Sequence, residues 1–350
     1  MQHETRSLAK VLAISAILKA GGVGEFISIA AAELALKKAL KRVHREASEK
    51  VIALLGKSVP AVTAAEQFSA RAGRTYNSVY LAGTEELIEP HVDKVYRLGK
   101  QAAVRRLTGK IRGEYVYDYS AALGKAEELP TFEIGFSFQL VDQRAVDAVA
   151  AGHFFWFGDH YDKSISEIIK NVISNATLRR GLGPVEAGEI LQKELRRELG
   201  LVGGGRKLTV PSGWQGTFDE YFEALAAYVT TAARAASTVQ AIEEAEAVYL
   251  VIINPEDERT CPRCMIMSGK QFRVDQARGQ LDALLGAEST EDVKRAQPWY
   301  SVKEFLKIGD EPGNVSEADS ARFAAAGVVL PPYHMKCRCT VDLAPGHEVE

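Results

Sequence analysis

Four cysteines occur in the 350 residues, and all four fall in two short clusters near the C-terminal end. The first cluster reads Asp257-Glu258-Arg259-Thr260-Cys261-Pro262-Arg263-Cys264, with Gly269 following. The second reads Pro331-Pro332-Tyr333-His334-Met335-Lys336-Cys337-Arg338-Cys339. A C-x2-C pair and an H-x2-C-x-C run make two short chelating loops, and zinc binds thiolate and imidazole tetrahedrally from such loops. This spacing favours a metal site over a disulfide pair or free thiols. Five side chains compete for four positions: Cys261, Cys264, His334, Cys337 and Cys339. Neighbours alternate faces in an extended segment, so Cys337 and Cys339 point the same way across Arg338, whereas His334 and Cys337 have the spacing of a zinc knuckle. Spacing alone leaves an all-cysteine site and a three-cysteine, one-histidine site both open.

A catalytic metal with Asp257 or Glu258 as general base is disfavoured, because thiolate-rich zinc sites are usually closed. No nucleophile–base pair converges in the sequence, and only His334 of the seven histidines lies in a motif. The residues therefore give no catalytic candidate, and the expected role of zinc is structural.

D-x-R-T-C-x2-C with its following glycine, then P-P-x-H-x2-C-R-C, resembles the phage Mu protein F-like family of minor head (head morphogenesis) proteins. The run His334–Cys339 carries most of the likeness, which extends over residues from about 130 to 343. The resemblance implies a structural protein of a phage or prophage-like head. Its implied place is the virion, in the capsid interior or at the portal vertex, after assembly in the host cytoplasm. The implied partners are portal protein and capsid or scaffold proteins, with non-specific contact to packaged DNA as a further expectation. Some proteins resembling the family carry a toxin or transferase domain behind this module; eleven residues follow Cys339 here, which sets the expectation against an enzyme. The competing classes are a zinc-dependent transferase or nuclease and a free nucleic-acid-binding zinc protein.

Net charge is −3, but it is unevenly spread. Residues 1–113 carry 19 Lys/Arg against 10 Asp/Glu, and the remainder is acidic. Such a basic region suits a polyanion or an acidic protein surface. A second basic run, Arg97, Lys100, Arg105, Arg106, Lys110 and Arg112, could track phosphates. No segment has the length and composition of a membrane span or a secretion signal, so the expectation is a chain that does not enter a membrane.

Hydrophobic content of 46% supports a sizeable core. Leu36, Leu40, Val43, Ala47, Val51 and Leu54 form one apolar helix face, with Lys37, Lys38, Lys41, Arg42 and Arg45 opposite. Composition changes between Glu114 and Pro130. The expected organisation is a helical, basic region over 1–120 and a module over 121–350 whose zinc site lies within 257–343. Residues 132–138 read as an extended strand and 153–160 as a core aromatic cluster. Ser164–Glu167 reads as a capping box, and Pro184 opens a helix that Gly200 stops. Residues 202–216 read as a loop.

Thr217-Phe218-Asp219-Glu220 is a second capping box. It starts a long helix whose Phe218, Phe222, Leu225, Val229, Ala232, Ala236 and Val239 make a seam for a second helix, internal or from another subunit. Residues 248–253 then read as a buried strand, with 271–274 and 340–343 as its partners. The fold expected is mainly α, ending in a small zinc-anchored β element.

Overall fold

The computed structural model describes residues 23–54, 65–111, 142–150 except 148, 165–172 except 166, 184–202, 207–209, 215–309 except 256, and 316–344. The expected strand at 132–138 and the aromatic run at 153–160 lie outside these residues, as does Ser164 of the first capping box. The described chain is mostly helical, with a small antiparallel sheet near its C-terminal end.

Three long helices form one layer: α1 (Val23–Leu54), α2 (Ala65–Ile111) and α4 (Phe218–Glu244), with the shorter α3 (Pro184–Glu198) beside them. The apolar stripe of α1 is buried as its periodicity predicts, through Leu36, Leu40, Val43, Ala47 and Val51. Along α2 the inward residues Ala72, Tyr76, Tyr80, Val92, Tyr96, Ala103 and Leu107 are buried, and the helix runs through Pro90. Gly99 lets α2 approach α4: a Cβ there would fall 2.3 Å from the Ser237 hydroxyl oxygen and 3.5 Å from Arg234 Cα. In α3, Pro184 holds the first position, Leu191, Leu195 and Leu199 are buried, and Gly200 leaves the helix at φ +71°.

The capping box that starts α4 is formed. Thr217 Oγ1 accepts from Glu220 N–H at 3.3 Å, and the Glu220 carboxylate accepts from Thr217 N–H at 2.8 Å. Nineteen of the 27 residues of α4 are buried, more than one seam requires. Its partners are internal: α1 and α2 cover one side, and the sheet with the helix after it covers another. Ala, Ser and Thr between the larger residues fit both surfaces, so α4 reads as a core helix.

A two-residue ladder, β1 (Leu208–Thr209) with β2 (Gln215–Gly216), precedes α4 where the sequence suggests only loop. Its four residues are too few for a strand pattern to show. Beyond α4, β3 (Tyr249–Ile253) is the centre of an antiparallel sheet. It pairs with β4 (Gln271–Arg273) on one side and β5 (Thr340–Leu343) on the other, setting Leu250 between Phe272 and Leu343. Helix α5 (Pro262–Met267) joins β3 to β4. Helices α6 (Val274–Leu285), α7 (Thr290–Ala296), α8 (Val302–Ile308) and α9 (Glu317–Ala325) fill the span before β5. Ser289, Ser301 and Ser316 cap the last three, each accepting a backbone N–H three residues on.

Among the described residues, most of the buried apolar side chains form one large cluster from Ala32 to Val341, spanning both sides of the composition change near 114–130, and Leu284, Val293 and Ala296 form a small separate one. A buried ionic knot ties the same span together. Lys100 on α2 donates to both Asp142 oxygens, at 2.8 and 2.7 Å, and to Glu244 at the end of α4, at 2.6 Å. Tyr96 donates to Asp142 at 2.9 Å. Lys100 and Asp142 are fully buried, so Lys100 leaves the basic run in which its sequence position placed it. Among the described residues, no helix is long and apolar enough to cross a membrane.

Candidate metal centre

The first donor loop grows out of the end of β3. Asn254 donates from its side chain to Cys264 O at 3.0 Å, fixing the loop's far end before the loop begins. Asp257 then folds the chain locally: its Oδ1 accepts from Arg259 N–H at 3.0 Å, and its carbonyl accepts from Thr260 N–H at 2.9 Å. Cys261 sits at the N-cap of α5, with Pro262 pre-set for the first helical position. Three residues on, Cys264 lies on the same face of that turn. Gly269, at φ +76°, returns the chain to the sheet by donating to Ile252 O at 2.8 Å.

The second loop is held from behind. Gln280 on α6 accepts from Val329 N–H at 3.1 Å and Leu330 N–H at 2.9 Å. Tyr333, fully enclosed, donates to Val329 O at 3.0 Å. Cys337 N–H donates to His334 O at 3.1 Å, closing a tight turn with Lys336 at φ +60°. Thr231 of α4 donates its hydroxyl to Cys337 O at 3.0 Å, docking the loop on the central helix. Cys339 follows immediately before β5.

These loops bring all five candidate ligands together. Nε2 of His334 lies 3.1 Å from Cys261 Sγ and 3.0 Å from Cys264 Sγ, and Cys264 Sγ lies 3.8 Å from Cys337 Sγ. Two groups of donors, Cys261–Cys264–His334 and Cys264–Cys337–Cys339, each have their ligand atoms within 4.8 Å of one another, and they share Cys264. Cys264, Cys337 and Cys339 are buried, and Cys261 is half-buried.

The donor set fits a metal on three counts. A tetrahedral ion with sulfur bonds of about 2.3 Å places its sulfurs about 3.8 Å apart, the Cys264–Cys337 separation. That separation is far beyond a disulfide of about 2.05 Å, and all four cysteines are free. His334 Nδ1 faces Met335 O, the partner expected of an N–H donor, which leaves Nε2 as the lone-pair nitrogen facing the sulfurs. The thiols also crowd one another. Hydrogen bonding from Cys264, reinforced by His334, draws the Cys261 thiol far down. Cys264, sharing its proton with Cys261, Cys337 and Cys339, is pushed up. A cation removes this conflict by taking the charge of several thiolates at once.

Arg338 clamps one loop to the other. Its guanidinium donates to the two Asp257 oxygens at 2.6 and 2.5 Å, a bidentate pair linking the residue between Cys337 and Cys339 to the start of the first loop. Arg338 thereby holds the Asp257 carboxyl well below the usual carboxylate range. Asp257 is engaged in loop structure, and neither metal-donor group among the described residues includes it or Glu258. Arg259, the neighbouring arginine of the first loop, has an 80% exposed side chain whose guanidinium lies 3.8 Å from the Asp257 carboxylate.

Sequence reasoning missed Thr231, Asn254 and Gln280 as supports of the loops. Asn254 was within reach of a local reading, since it stands seven residues before Cys261 at the end of a strand. Thr231 and Gln280 carry no local signal, because their partners lie 106 and about 50 residues away.

The basic face of α1 is partly neutralised by α4. Lys37 pairs with Glu223 at 2.9 Å, Lys41 pairs with Asp219, and Glu223 also meets Lys336 of the second donor loop at 3.5 Å. Lys38, Arg42 and Arg45 on α1 and Arg105 on α2 stay exposed.

No family model, curated protein or solved structure matches this chain.

Proposed function

We propose that the chain is a structural minor head protein of a phage or prophage-like particle, whose C-terminal loops are closed by one zinc ion. The observation that carries this reading is the convergence of two motif halves seventy residues apart. Cys261, Cys264, His334, Cys337 and Cys339 meet in one donor cluster, and Asp257 and Arg338 of the same motifs clamp it. These are the residues on which the resemblance to the Mu protein F-like family rests. Thiol-rich donors select zinc over harder cations, and closed thiolate sites are structural.

The metal's contribution is to hold the two loops against the sheet. In this reading the side chains around it, Asp257, Arg338 and Thr231, serve to position the donor loops. The partners of this reading are portal protein and capsid or scaffold proteins, and the place is the capsid interior or portal vertex. The exposed cations Lys38, Arg42, Arg45 and Arg105 suit weak, salt-sensitive contact with packaged DNA.

Two measurements test this. Elemental analysis of protein purified without added metal should find about one zinc per chain. Co-expression with the portal protein encoded nearest to its gene should yield a complex that survives size-exclusion chromatography. Zinc without any portal complex would leave a metal-stapled protein of another role. Hydrolytic or transferase turnover abolished by Asp257→Asn would replace the structural reading with an enzymatic one.

A further inference from the structure

Helices α6 and α9 leave a cleft between them, about 490 Å³ in volume and open to solvent along one side. That volume lies within the range of ligand sites. Its walls carry small residues, Gly279 on α6 and Ala321 and Ala325 on α9. Small residues alone define only a gap; three polar side chains give this one a chemistry. Gln276 and Gln280 stand one turn apart on the α6 wall, and Arg295 of α7 lies at the rim.

The backbone fixes how both glutamine amides are turned. Gln276 Oε1 accepts from Arg273 N–H at 3.0 Å, and Gln280 Oε1 accepts from Val329 N–H at 3.1 Å and Leu330 N–H at 2.9 Å. Turning either amide over would set an NH2 group against these N–H donors, so the oxygens are committed and the nitrogens lie on the other side. Neither nitrogen has a hydrogen-bond partner among the described residues. Gln280 is only 7% exposed, and an unmatched donor at such a position is costly. The Arg295 guanidinium adds further donors; it is 79% exposed and meets Asp292 at 3.3 Å. None of the described residues that line the cleft is an acid, so its polar groups offer hydrogens and call for oxygens.

Gly279 lies between the two glutamines, inside the helix. A mid-helix glycine is less stable than alanine, and nothing within the protein requires this one, since a Cβ there would meet no atom within 4 Å. Its missing side chain lets another backbone come close between the amides. The donor spacing then selects the occupant. Four helical residues advance about 6 Å, and carbonyls on one side of an extended chain recur about every 6.6–6.8 Å. Two main-chain oxygens of one extended segment therefore match the two amides, whereas a lone carboxylate, with both oxygens on one carbon, does not span them.

We propose that the α6–α9 cleft binds an extended, acidic peptide segment of a partner protein. Gln276 and Gln280 donate to its main-chain oxygens, and Arg295 pairs with its carboxylate. No metal donor lines the cleft, so the site stands apart from the metal reading above.

The test uses the isotope-labelled full chain and the capped peptide acetyl-Ser-Val-Glu-Val-Ser-Val-amide. A plain sequence suffices as probe, because the amides read main-chain oxygens. The side-chain NH2 resonances of Gln276 and Gln280 should shift together as peptide is added. Gln276→Glu and Gln280→Glu each keep an oxygen for the backbone donors and replace only the unmatched nitrogen. They assign those resonances, and each should weaken binding at least about tenfold. Gly279→Leu should melt no lower than wild type, because its Cβ enters open space, yet it should lose binding by filling the cleft. Arg295→Gln should remove the preference for this peptide over its glutamine counterpart. The proposal is overturned if the peptide leaves both NH2 resonances in place, or if it binds Gly279→Leu and Gln280→Glu as tightly as wild type. Acetate that shifts the same resonances as far as the peptide would also overturn it, by making a small carboxylate the occupant. If Gln280→Glu loosens the loop at Val329, Gly279→Leu still decides, since it touches no hydrogen bond of that loop.

Discussion

The layer of long helices and the lobe built from β3 to β5 solve the same problem by different means. Helices α1, α2 and α4 run 32, 47 and 27 residues and bury long apolar faces against one another. The lobe is assembled from strands of three to five residues and from helices that are mostly six to nine residues long. Helices that short do not persist alone in water, and small sheets need outside support. The helical layer can therefore rest on burial, while the lobe needs a cross-link, and the donor cluster stands where one is required. The comparison teaches that the donor cluster lies in the part of the fold built from the shortest elements.

The largest expected effect comes from removing the layer. Deleting residues 1–120 strips α1 and α2 from α4 and exposes residues now buried against them, such as Phe218, Phe222 and Thr230. It also removes Lys100 and leaves Asp142 buried without its cation. Each large apolar side chain returned to water costs about 1.5–3 kcal/mol, and an unpaired buried charge costs about 3–5 kcal/mol more. The shortened chain should be insoluble, or should lack a cooperative thermal transition by circular dichroism. A truncated protein that melts cooperatively with its zinc bound would show that the lobe is an independent domain, as the composition change near residue 120 suggests.

Metal removal should be the next largest effect, and it should be local. Structural zinc supplies folding free energy on the order of 10 kcal/mol. Chelation should abolish the near-ultraviolet signal of Trp299, whose indole donates to Tyr228 at 3.0 Å beneath the lobe, while most helical signal survives. Cys264→Ser should reproduce that state. Collapse of the helical signal together with the aromatic signal would make the two regions one cooperative unit.

What could be read from the sequence divides along the same line. Chelation needs donors close in sequence, so the candidate donor cluster was legible in two loops, and the amphipathic stripe of α1 declared itself through its period. The sheet was legible because three short apolar runs flank the loops. Lys100 was misplaced among phosphate-tracking cations because its partners, Asp142 and Glu244, lie 42 and 144 residues away. The all-round burial of α4 was hidden by its alanines and threonines, which fit a surface as readily as a core. Lys270 and Asp319, a buried ion pair joining the β4 approach to α9, gave no local sign for the same reason.

Acid separates the two regions from the other side. His44 is buried between Tyr76 and Leu199 O, and His91 is buried against Thr230. Burial pushes both down to about 4 from an ordinary value near 6.5. A histidine whose folded value is depressed binds its proton more readily in the unfolded chain. Its contribution is therefore complete above about pH 6.5 and is lost as pH falls through about 4. A fall from 6.5 to about 4 corresponds to about 3 kcal/mol for each histidine, drawn from the helical layer. Urea unfolding followed at the helical signal should show stability falling between pH 6.5 and 4. His91→Gln should remove about half of that slope. An unchanged slope in His91→Gln would show that His91 is not among the groups that set the acid sensitivity.

The smallest effect tests the seam between the regions. Thr231 on α4 donates to Cys337 O at 3.0 Å, a hydrogen bond that runs from the central helix to a donor residue's backbone. Thr231→Val keeps the side chain's shape and removes only the hydroxyl, at a cost of about 1 kcal/mol. Zinc content should not change, because no ligand is touched. The metal lobe's thermal midpoint should fall by about 2 °C in a chain of this size. If the lobe's aromatic transition shifts and the helical transition stays, the two regions unfold separately and the hydroxyl belongs to the docking of one on the other. If both shift together, the long helices and the two donor loops share one transition, and the contrast between them lies in how each is built and not in how each comes apart.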